Sequence, residues 1–175
     1  MGGALILNGR LHLGVTGRAG DIGNYLVHAI DTSPDAPRKT VLDNVASRSA
    51  IAGEAAALAV KRIAPRLHKI AGTDVGEIGS SDIARAIKGG DKALEKMVRS
   101  RVAVVGAAAS NLVDFLNPDM VVLGGGLVGA MPQLVRREVR RAIEAHATPK
   151  SAKAAKVVTA RFFADRSCPR TVLQK

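Results

Sequence analysis

The chain has few of the residues that form disulfides, bind metals or stack on nucleic-acid bases. Its 175 residues include one cysteine, Cys168, which provides neither a disulfide framework nor a cysteine cluster for a metal. This cysteine usage is typical of a reducing compartment, so we expect a cytoplasmic location. Tryptophan is absent, and there are one tyrosine and three phenylalanines. The sequence therefore offers no aromatic platform for single-stranded DNA or RNA.

Long hydrophobic runs are also absent from the sequence. No apolar stretch reaches the roughly eighteen residues that a membrane-spanning helix needs. The start, residues 1–7, has no basic region and too short an apolar segment for a signal peptide. The length fits one domain or part of a larger one. We expect a globular protein that does not bind a membrane.

Acidic side chains are scarce relative to basic ones. Lysine and arginine number 26 against 15 aspartates and glutamates, which gives a formal net charge of +11. Such a charge raises a nucleic-acid hypothesis. However, the basic residues are distributed over four predicted helices, as in ordinary solvated faces. Together with the lack of aromatics, this distribution disfavours nucleic acid and favours anionic ligands.

What the sequence does contain is a buried-strand pattern followed by three glycines. Pro118 cannot continue a helix and favours extended geometry at Asn117, so the long helix before it should end here. Residues 120–123 are continuously apolar, which predicts a strand covered on both faces. The glycines at 124–126 then allow close approach of a ligand at the carboxyl end of this strand, where ligands bind in open α/β sheets.

Two other interpretations of the glycines are open. The string from Gly124 to Gly129 satisfies the dinucleotide-binding pattern G-x-G-x-x-G, which also requires an acidic residue about twenty positions later at the end of a strand. The acid at that offset, Glu144, falls inside a predicted helix, and the rest of the chain is short for a dinucleotide-binding unit. The glycines could also simply turn the chain. We favour a loop that faces a ligand.

The first residues predict a β-hairpin. Asn8-Gly9 is the preferred dipeptide of a type I′ turn and joins two apolar runs, residues 4–7 and 10–13. Because the hairpin stands at the start of the chain, we expect either that its sheet lacks a first strand or that the hairpin is an edge. The segments that follow are predicted to be a glycine-rich loop, a short strand and an exposed loop, over residues 14–24, 25–30 and 31–40.

Helical periodicity begins at Val41. Ser47 or Ser49 can cap a helix that reaches Ile63 and is kinked or ended by Pro65. A surface segment over 72–79 comes next. The remaining predicted elements are a short helix over 83–87 capped by Ser81-Asp82, a long helix capped by Asp91, a helix over 132–147 and a strand over 156–160.

The long helix has an apolar stripe and a patch of small residues at 106–110, where another backbone can approach closely. We expect the stripe to face the core. Its members are Leu94, Val98, Val105, Ala108, Leu112 and Phe115.

Taken together, four stretches of the chain resemble the C-terminal lobe of the ROK family, which comprises repressors, open reading frames and sugar kinases. The stretches occur in family order at residues 2–11, 14–24, 42–47 and 117–126. The resemblance covers residues 2 to about 165. It implies an α/β, actin-like ATPase (ribonuclease H-like) fold with a mixed sheet, an N-terminal hairpin and flanking helices, in which residues 1–175 form a single lobe.

The resemblance also implies the ligands, a hexose or hexosamine and ATP with magnesium. It places Asp21, Asn24 and Asp43 against sugar hydroxyls. The nucleotide would be bound by Gly2 and Gly3 near its phosphates and by Gly124, Gly125 and Gly126 near its adenosine.

The chain departs from the family pattern in its signature loop. The family has Gly-Glu-Ile-Gly-His where this chain has Asp21 and Asn24 in place of the acid and the histidine. Asp21 can still accept hydrogen bonds from hydroxyls, and Asn24 can make neutral ones. The family's zinc knuckle would lie between Tyr25 and Val41, where there is no cysteine and His28 alone, so we expect no zinc.

Other departures concern the two ends. The resemblance places the aspartate base and the first phosphate loop upstream of Met1, and a last helix near Asp165, where residues 166–170 do not match. We therefore expect a truncated or frameshifted lobe without catalytic residues, atypical after about 165. Neither Asp21, Asp43 nor Asp114 is expected to replace the missing base.

Three functions stay open at this point. The first is the ATP and sugar binding lobe of a sugar kinase, inactive alone. The second is the sugar-sensing lobe of a transcriptional regulator. The third is a non-catalytic dimerisation lobe in which the basic helices and residues 106–110 pack against a second copy. A homodimer is expected in any case.

Overall fold

A computed structural model describes residues 1–28 and 39–160. Within this part of the chain, no helix is both long enough and apolar enough to cross a membrane. The strands are β1 (Leu5–Leu7), β2 (Arg10–His12), β3 (Leu26–His28), β4 (Lys39–Val41), β5 (Met120–Leu123) and β6 (Lys156–Thr159). The helices are α1 (Leu42–Ala46), α2 (Arg48–Val60), α3 (Pro65–Ala71), α4 (Ser80–Lys88), α5 (Lys92–Leu116), α6 (Gly126–Ala130), α7 (Pro132–His146) and α8 (Pro149–Ala154), with a 3₁₀ turn at Ile22–Asn24.

The strands form three two-stranded sheets in the described residues. β1 and β2 are antiparallel, and so are β3 and β4, whereas β5 and β6 are parallel. The predicted hairpin is confirmed, because Asn8 and Gly9 both have positive φ, at 52° and 74°, as a type I′ turn requires.

The second antiparallel pair was predicted only in part. β3 lies inside the strand predicted for 25–30, and β4 occupies residues that the sequence placed at the end of an exposed loop. β4 forms because Leu26 pairs with Val41 and His28 with Lys39 across the sheet. The rest of the predicted loop lies outside the described residues.

Pro65 begins a helix rather than ending one. α2 starts after Ser47, whose hydroxyl accepts a hydrogen bond from the N–H of Ala50, and it ends at Val60. Pro65 occupies the first position of α3, where its missing N–H costs nothing. The predicted extension of α2 to Ile63 is therefore wrong.

The caps of α4 and α5 differ from the sequence prediction. Asp82 lies in the first turn of α4 and accepts from the N–H of Gly79, the residue that precedes the helix. Asp91 precedes α5 but does not cap it. Its carboxylate instead accepts the N–H groups of Arg66 and Leu67 at the start of α3, at 3.2 and 2.8 Å.

The core is centred on the crossing of α5 and α7. Gly106 of α5 is buried there, and a Cβ at this position would lie 2.5 Å from Ala142 Cβ and 3.0 Å from Val139 Cα of α7. The small-residue patch thus does admit another backbone, and that backbone belongs to α7. Of the predicted stripe, Leu94, Val98 and Ala108 are buried and Val105 and Leu112 half-buried, whereas Phe115 is 86% exposed, contrary to expectation.

β5 is less covered than its apolar sequence predicted. Its side chains alternate, and those of Met120 and Val122 are 44% and 59% exposed. Asn117, at the end of α5, has φ 46° and ψ 54°, so it is left-handed and not extended as expected. The short α6 and α8 were not predicted, whereas α7 and β6 lie where the sequence placed them.

Candidate functional site

A cleft of about 730 Å³ lies between the N-terminal residues and the turn after β5. Gly2, Gly3 and Asp21 line one side of the cleft. The other side includes Gly124, Gly125 and Gly126. Six of the eight residues predicted as ligand contacts therefore share one cleft, although they are separated by about a hundred positions in the sequence.

The other two predicted residues, Asn24 and Asp43, do not line the cleft. Asn24 Nδ2 donates to Asp21 Oδ2 at 2.9 Å, so Asn24 positions the carboxylate. Asp43 lies in the first turn of α1 and pairs with the N-terminal amine of Met1. Neither side chain is among those that face the shared space.

Asp21 is held from two sides. Arg18 donates to the same carboxylate oxygen, Oδ2, at 3.1 Å. A carboxylate has about four acceptor positions on its two oxygens. Two are used by Arg18 and Asn24, so the remaining ones can accept hydrogen bonds from the hydroxyls of a ligand.

The glycines of the cleft lack a side chain for different structural reasons. A Cβ on Gly3 would lie 2.7 Å from the carbonyl oxygen of Gly20, so Gly3 is needed for a close crossing of two backbone segments. Gly125 has φ +102°, and a Cβ there would meet nothing within 4 Å. Gly2 also faces open space. Gly2 and Gly125 therefore leave room for a ligand, whereas Gly3 is explained by packing.

The cleft also contains polar side chains that the sequence analysis did not assign to a site. Ser47 and Arg48 lie at the start of α2, and Ser80 begins α4. A Cβ on Gly126 would lie 3.5 Å from Ser80 Oγ, so this serine is beside the glycine turn. Ser47 was recognised as a possible cap, but its position in the cleft depends on tertiary packing and has no local signal.

Asp114 of α5, which the sequence analysis did not expect to replace the base, bonds to Thr148. Its carboxylate accepts the N–H of Thr148 at 3.0 Å and the hydroxyl of Thr148 at 2.9 Å, at the start of α8. These hydrogen bonds, first that from the backbone, lower the pKa of Asp114 below its ordinary value. They stabilise the ionised carboxylate and connect α5 to the residue before α8.

Metal ligands are sparse in the described residues. Within residues 1–28 and 39–160 no group of three histidine, cysteine or acidic side chains is placed to hold an ion. The region of the expected zinc knuckle falls mostly on residues outside this part. The absence of zinc therefore stays a prediction.

Comparison with known proteins agrees with the fold and the motifs. The model of the ROK family matches residues 1–168. A glucokinase of Halalkalibacterium halodurans is 30% identical over 159 residues, which are 89% of this chain and 47% of that protein. A xylose repressor of Caldicellulosiruptor bescii is 27% identical over 124 residues, 71% of this chain and 31% of the repressor.

Solved structures show the same fold. A ROK family glucokinase from Streptomyces griseus, in complex with glucose and AMPPNP, superposes with a TM-score of 0.68 at 23% identity over 93% of this chain and 53% of that one. A ROK family transcriptional regulator, a homologue of the E. coli MLC protein, gives 0.67 at 24% identity over 93% of this chain and 39% of the regulator.

The family match and the position of Glu144 disfavour the dinucleotide interpretation of the glycine turn. Glu144 lies in α7, where its partner is Arg140 of the same helix, and not at the end of a strand as a dinucleotide site requires. The chain spans about half the length of the glucokinase, and less of the repressor. Its residues, from the hairpin to the strand after α8, have the actin-like ATPase fold of their neighbours, and the chain belongs to the ROK family.

Proposed function

We propose that this chain is the sugar and nucleotide binding lobe of a ROK-type sugar kinase. The observation that carries the proposal is the single cleft shared by Asp21, Gly2 and the glycine turn at 124–126. A carboxylate can accept hydrogen bonds from the hydroxyls of a sugar, and a backbone without side chains allows a nucleotide to approach closely. The related glucokinase, and the structural neighbour that is in complex with glucose and AMPPNP, support this choice of ligands.

In this proposal each wall of the cleft has its own ligand. The free acceptor positions of Asp21 bind sugar hydroxyls, and Arg18 and Asn24 fix the carboxylate in place. Gly125 and Gly126 admit the adenosine at close range. Ser47, Arg48 and Ser80 also line the cleft, and in this proposal they bind phosphate oxygens, because hydroxyls and cations are suitable donors for them.

Magnesium would enter with the nucleotide. Asp21 is the one carboxylate among the described residues that line the cleft, and it is already bonded to Arg18 and Asn24. Mg²⁺ commonly binds through substrate phosphates and water with one or two carboxylates. The chain therefore supplies little of its coordination, and the phosphates would supply the rest.

The same arrangement of residues favours binding over catalysis. A kinase needs a carboxylate that accepts the proton of the attacking hydroxyl. Asp21 is the one carboxylate among the described residues of the cleft, and the proposal assigns its free acceptor positions to sugar hydroxyls. We therefore expect no appreciable phosphorylation of glucose by this chain alone.

The proposal includes a cytoplasmic homodimer without zinc. Mass measurement of the purified chain would test the dimer, and metal analysis would test the absence of zinc.

Isothermal titration calorimetry with AMPPNP and magnesium tests the nucleotide part. Gly125→Asp puts a charged side chain into the open space proposed for the adenosine and should weaken binding about tenfold or more. Gly72→Asp is the matched control, because Gly72 also has positive φ, at +68°, with open space around it, and does not line the cleft. No heat with the unaltered chain, or equal losses in both variants, would refute the nucleotide assignment.

Glucose titration tests the sugar part. Asp21→Ala should abolish measurable glucose binding, because it removes the acceptor. Asp74→Ala, an exposed acid in the loop before α4, should leave it unchanged.

A second function, a sugar-sensing lobe of a transcriptional regulator, is favoured by the xylose repressor and by the regulator among the structural neighbours. An affinity for glucose that does not change when AMPPNP is added would support this function over the kinase.

A dimerisation lobe formed through residues 106–110 is disfavoured, because α7 already covers Gly106.

A further inference from the structure

A groove of about 470 Å³ lies between α5 and α7, and it shares no lining residue with the cleft. Its volume is within the range of small-molecule sites, about 300–1,000 Å³. Arg99 of α5 and Arg137 and Arg141 of α7 contribute three guanidinium groups to its lining. Glu138 is the one acid among the described residues that line it. The groove is therefore a separate and basic surface.

α7 has more arginines than acids to pair with them. Of its two glutamates, Glu138 pairs with Arg99 of α5, and the other pairs with an arginine one turn earlier in the same helix. Within residues 1–28 and 39–160, Arg137 and Arg141 form no ion pair, and both are exposed. They are four positions apart, and like charges at this spacing destabilise a helix. An anion bound in the groove would offset this repulsion.

Arg99 is held in place by two carboxylates. Its Nε and Nη2 donate to Glu95 Oε1 at 3.1 and 2.8 Å, and its Nη1 donates to Glu138. Glu138 is 8% exposed, so Arg99 rather than water compensates its negative charge. A guanidinium has five N–H groups, and three are used here, so two are left to donate to a ligand. Because this side chain is already fixed, binding costs it little conformational entropy.

The two remaining lining residues, Ser100 and Ala103, are short and leave space beside the guanidinium groups. The hydroxyl of Ser100 donates to the carbonyl of Met97 at 2.7 Å, so its proton is already used. None of the described lining residues is aromatic or a large aliphatic. Guanidinium groups are thus the donors that the groove offers, and they match the oxygens of a phosphate group in geometry and charge.

We propose that this groove binds a small molecule that carries a phosphate group, through Arg99, Arg137 and Arg141. Three arginines and one glutamate give the lining a net charge of +2. A phosphate group has a charge of about −2 at neutral pH, so it neutralises the groove, which a single carboxylate would not. The phosphate is either free or the ester of a small organic molecule. The inference does not depend on the ligands proposed for the cleft.

An NMR titration of the full chain with inorganic phosphate tests the proposal, with chloride used to keep the ionic strength constant. The Nε–H signals of Arg137 and Arg141 should shift and saturate. Glycerol 3-phosphate is the second probe. A tighter response to the ester would show that the organic part is also bound, and an equal response would show that the phosphate group alone is recognised.

Three variants make the result specific. Arg137→Ala should weaken phosphate binding, measured at Arg141, about tenfold or more. Arg136→Ala is the matched control, because Arg136 is the preceding residue of α7, is exposed and does not line the groove. It should change the affinity less than about twofold. Arg48→Ala removes a cation that lines the cleft and should leave the shifts at Arg141 unchanged.

Several outcomes would overturn the proposal. Shifts that do not saturate, or that chloride alone reproduces, would show that the groove has no phosphate site. Equal weakening in the Arg136 and Arg137 variants would show diffuse attraction, and tighter binding of a DNA duplex with the same pattern would assign the arginines to nucleic acid. Loss of the shifts in Arg48→Ala would place the phosphate in the cleft. Calorimetry with AMPPNP on Arg137→Ala, where we expect no change, tests the cleft separately.

Discussion

The carboxylate of Asp91 connects two helices that are distant in sequence. The residue is 4% exposed, and its two oxygens accept the N–H groups of Arg66 and Leu67, in the first turn of α3. The first N–H groups of a helix have no partner within it and need an acceptor. Asp91 is that acceptor for α3, while its backbone begins α5.

Replacement of Asp91 should therefore destabilise the fold. Asp91→Ala leaves two N–H groups without an acceptor, one of them buried, and we expect a loss of about 1–3 kcal/mol in the free energy of unfolding. Asp91→Asn keeps one acceptor oxygen and should lose less. Urea denaturation measures both.

Asp74→Ala is the control for this measurement. Asp74 also accepts a backbone N–H, from Gly76, but in an exposed turn, so its loss should stay within about 0.5 kcal/mol. Equal losses at positions 74 and 91 would contradict a capping role for Asp91.

Asp91 and Asn117 also show what a local pattern predicts at the level of single residues. The sequence identified both as residues at helix ends, and the structure agrees. The partner of Asp91 could not be predicted, because it depends on how α3 packs against the start of α5. Asn117 adopts the left-handed conformation, which asparagine tolerates better than most residues, so the proline after it does not force an extended backbone.

Among the helices and strands, those with strong local signals in the sequence were predicted well. Those that depend on tertiary contacts were not. The hairpin turn at Asn8-Gly9, the end of α5 before Pro118 and the start of α7 at Pro132 each depend on one or two residues of special backbone geometry. β4 depends on a partner strand, and a proline such as Pro65 can precede a helix as well as end one. Periodicity alone does not decide these cases.

The crossing of α5 and α7 offers a test between two glycines. Gly106→Ala should destabilise the fold by about 1–3 kcal/mol, because the added methyl group would meet Val139 and Ala142 at distances that force the helices apart. Gly53→Ala in α2 has no atom within 4 Å of its new Cβ and should stabilise by about 0.5–1 kcal/mol.

The two substitutions are chemically identical and should have opposite signs in the same urea titration. A neutral effect of Gly106→Ala would show that the helices separate without cost. In that case the small-residue patch would not explain the close packing of α5 on α7.

At the scale of the whole molecule, the prediction of the candidate site depended on residues that are distant in sequence and close in space. Periodicity and turn chemistry cannot place Asp21 and Gly125 in one cleft, and that expectation came from the resemblance to the ROK family. The sequence did not predict the exposure of β5, because an apolar run indicates burial without saying what covers it. It also did not connect Ser47 or Ser80 with the cleft.

The acidic side chains, although few, are placed to stabilise the fold through charge. Hydrogen bonds from Arg85, and then from the N–H of Gly79, lower the pKa of Asp82 below its ordinary 3.8. Hydrogen bonding by Arg99 likewise lowers the pKa of Glu95 below 4.5, and that by Thr148 lowers the pKa of Asp114. Each carboxyl group therefore binds its proton more weakly in the folded chain than in the unfolded one.

The sign of the pH dependence follows from these lowered pKa values. The unfolded chain takes up more protons, so the stabilisation is fully present above the unfolded pKa values and is lost as the pH falls through the folded ones. We expect the urea midpoint to be level from about pH 7 to 5 and to fall below about pH 4. In Asp82→Asn and Asp114→Asn chains the fall should be shallower, because the titrating groups are gone. A midpoint in the unaltered chain that is constant from neutral pH to pH 3 would show that these contacts do not stabilise the fold in solution.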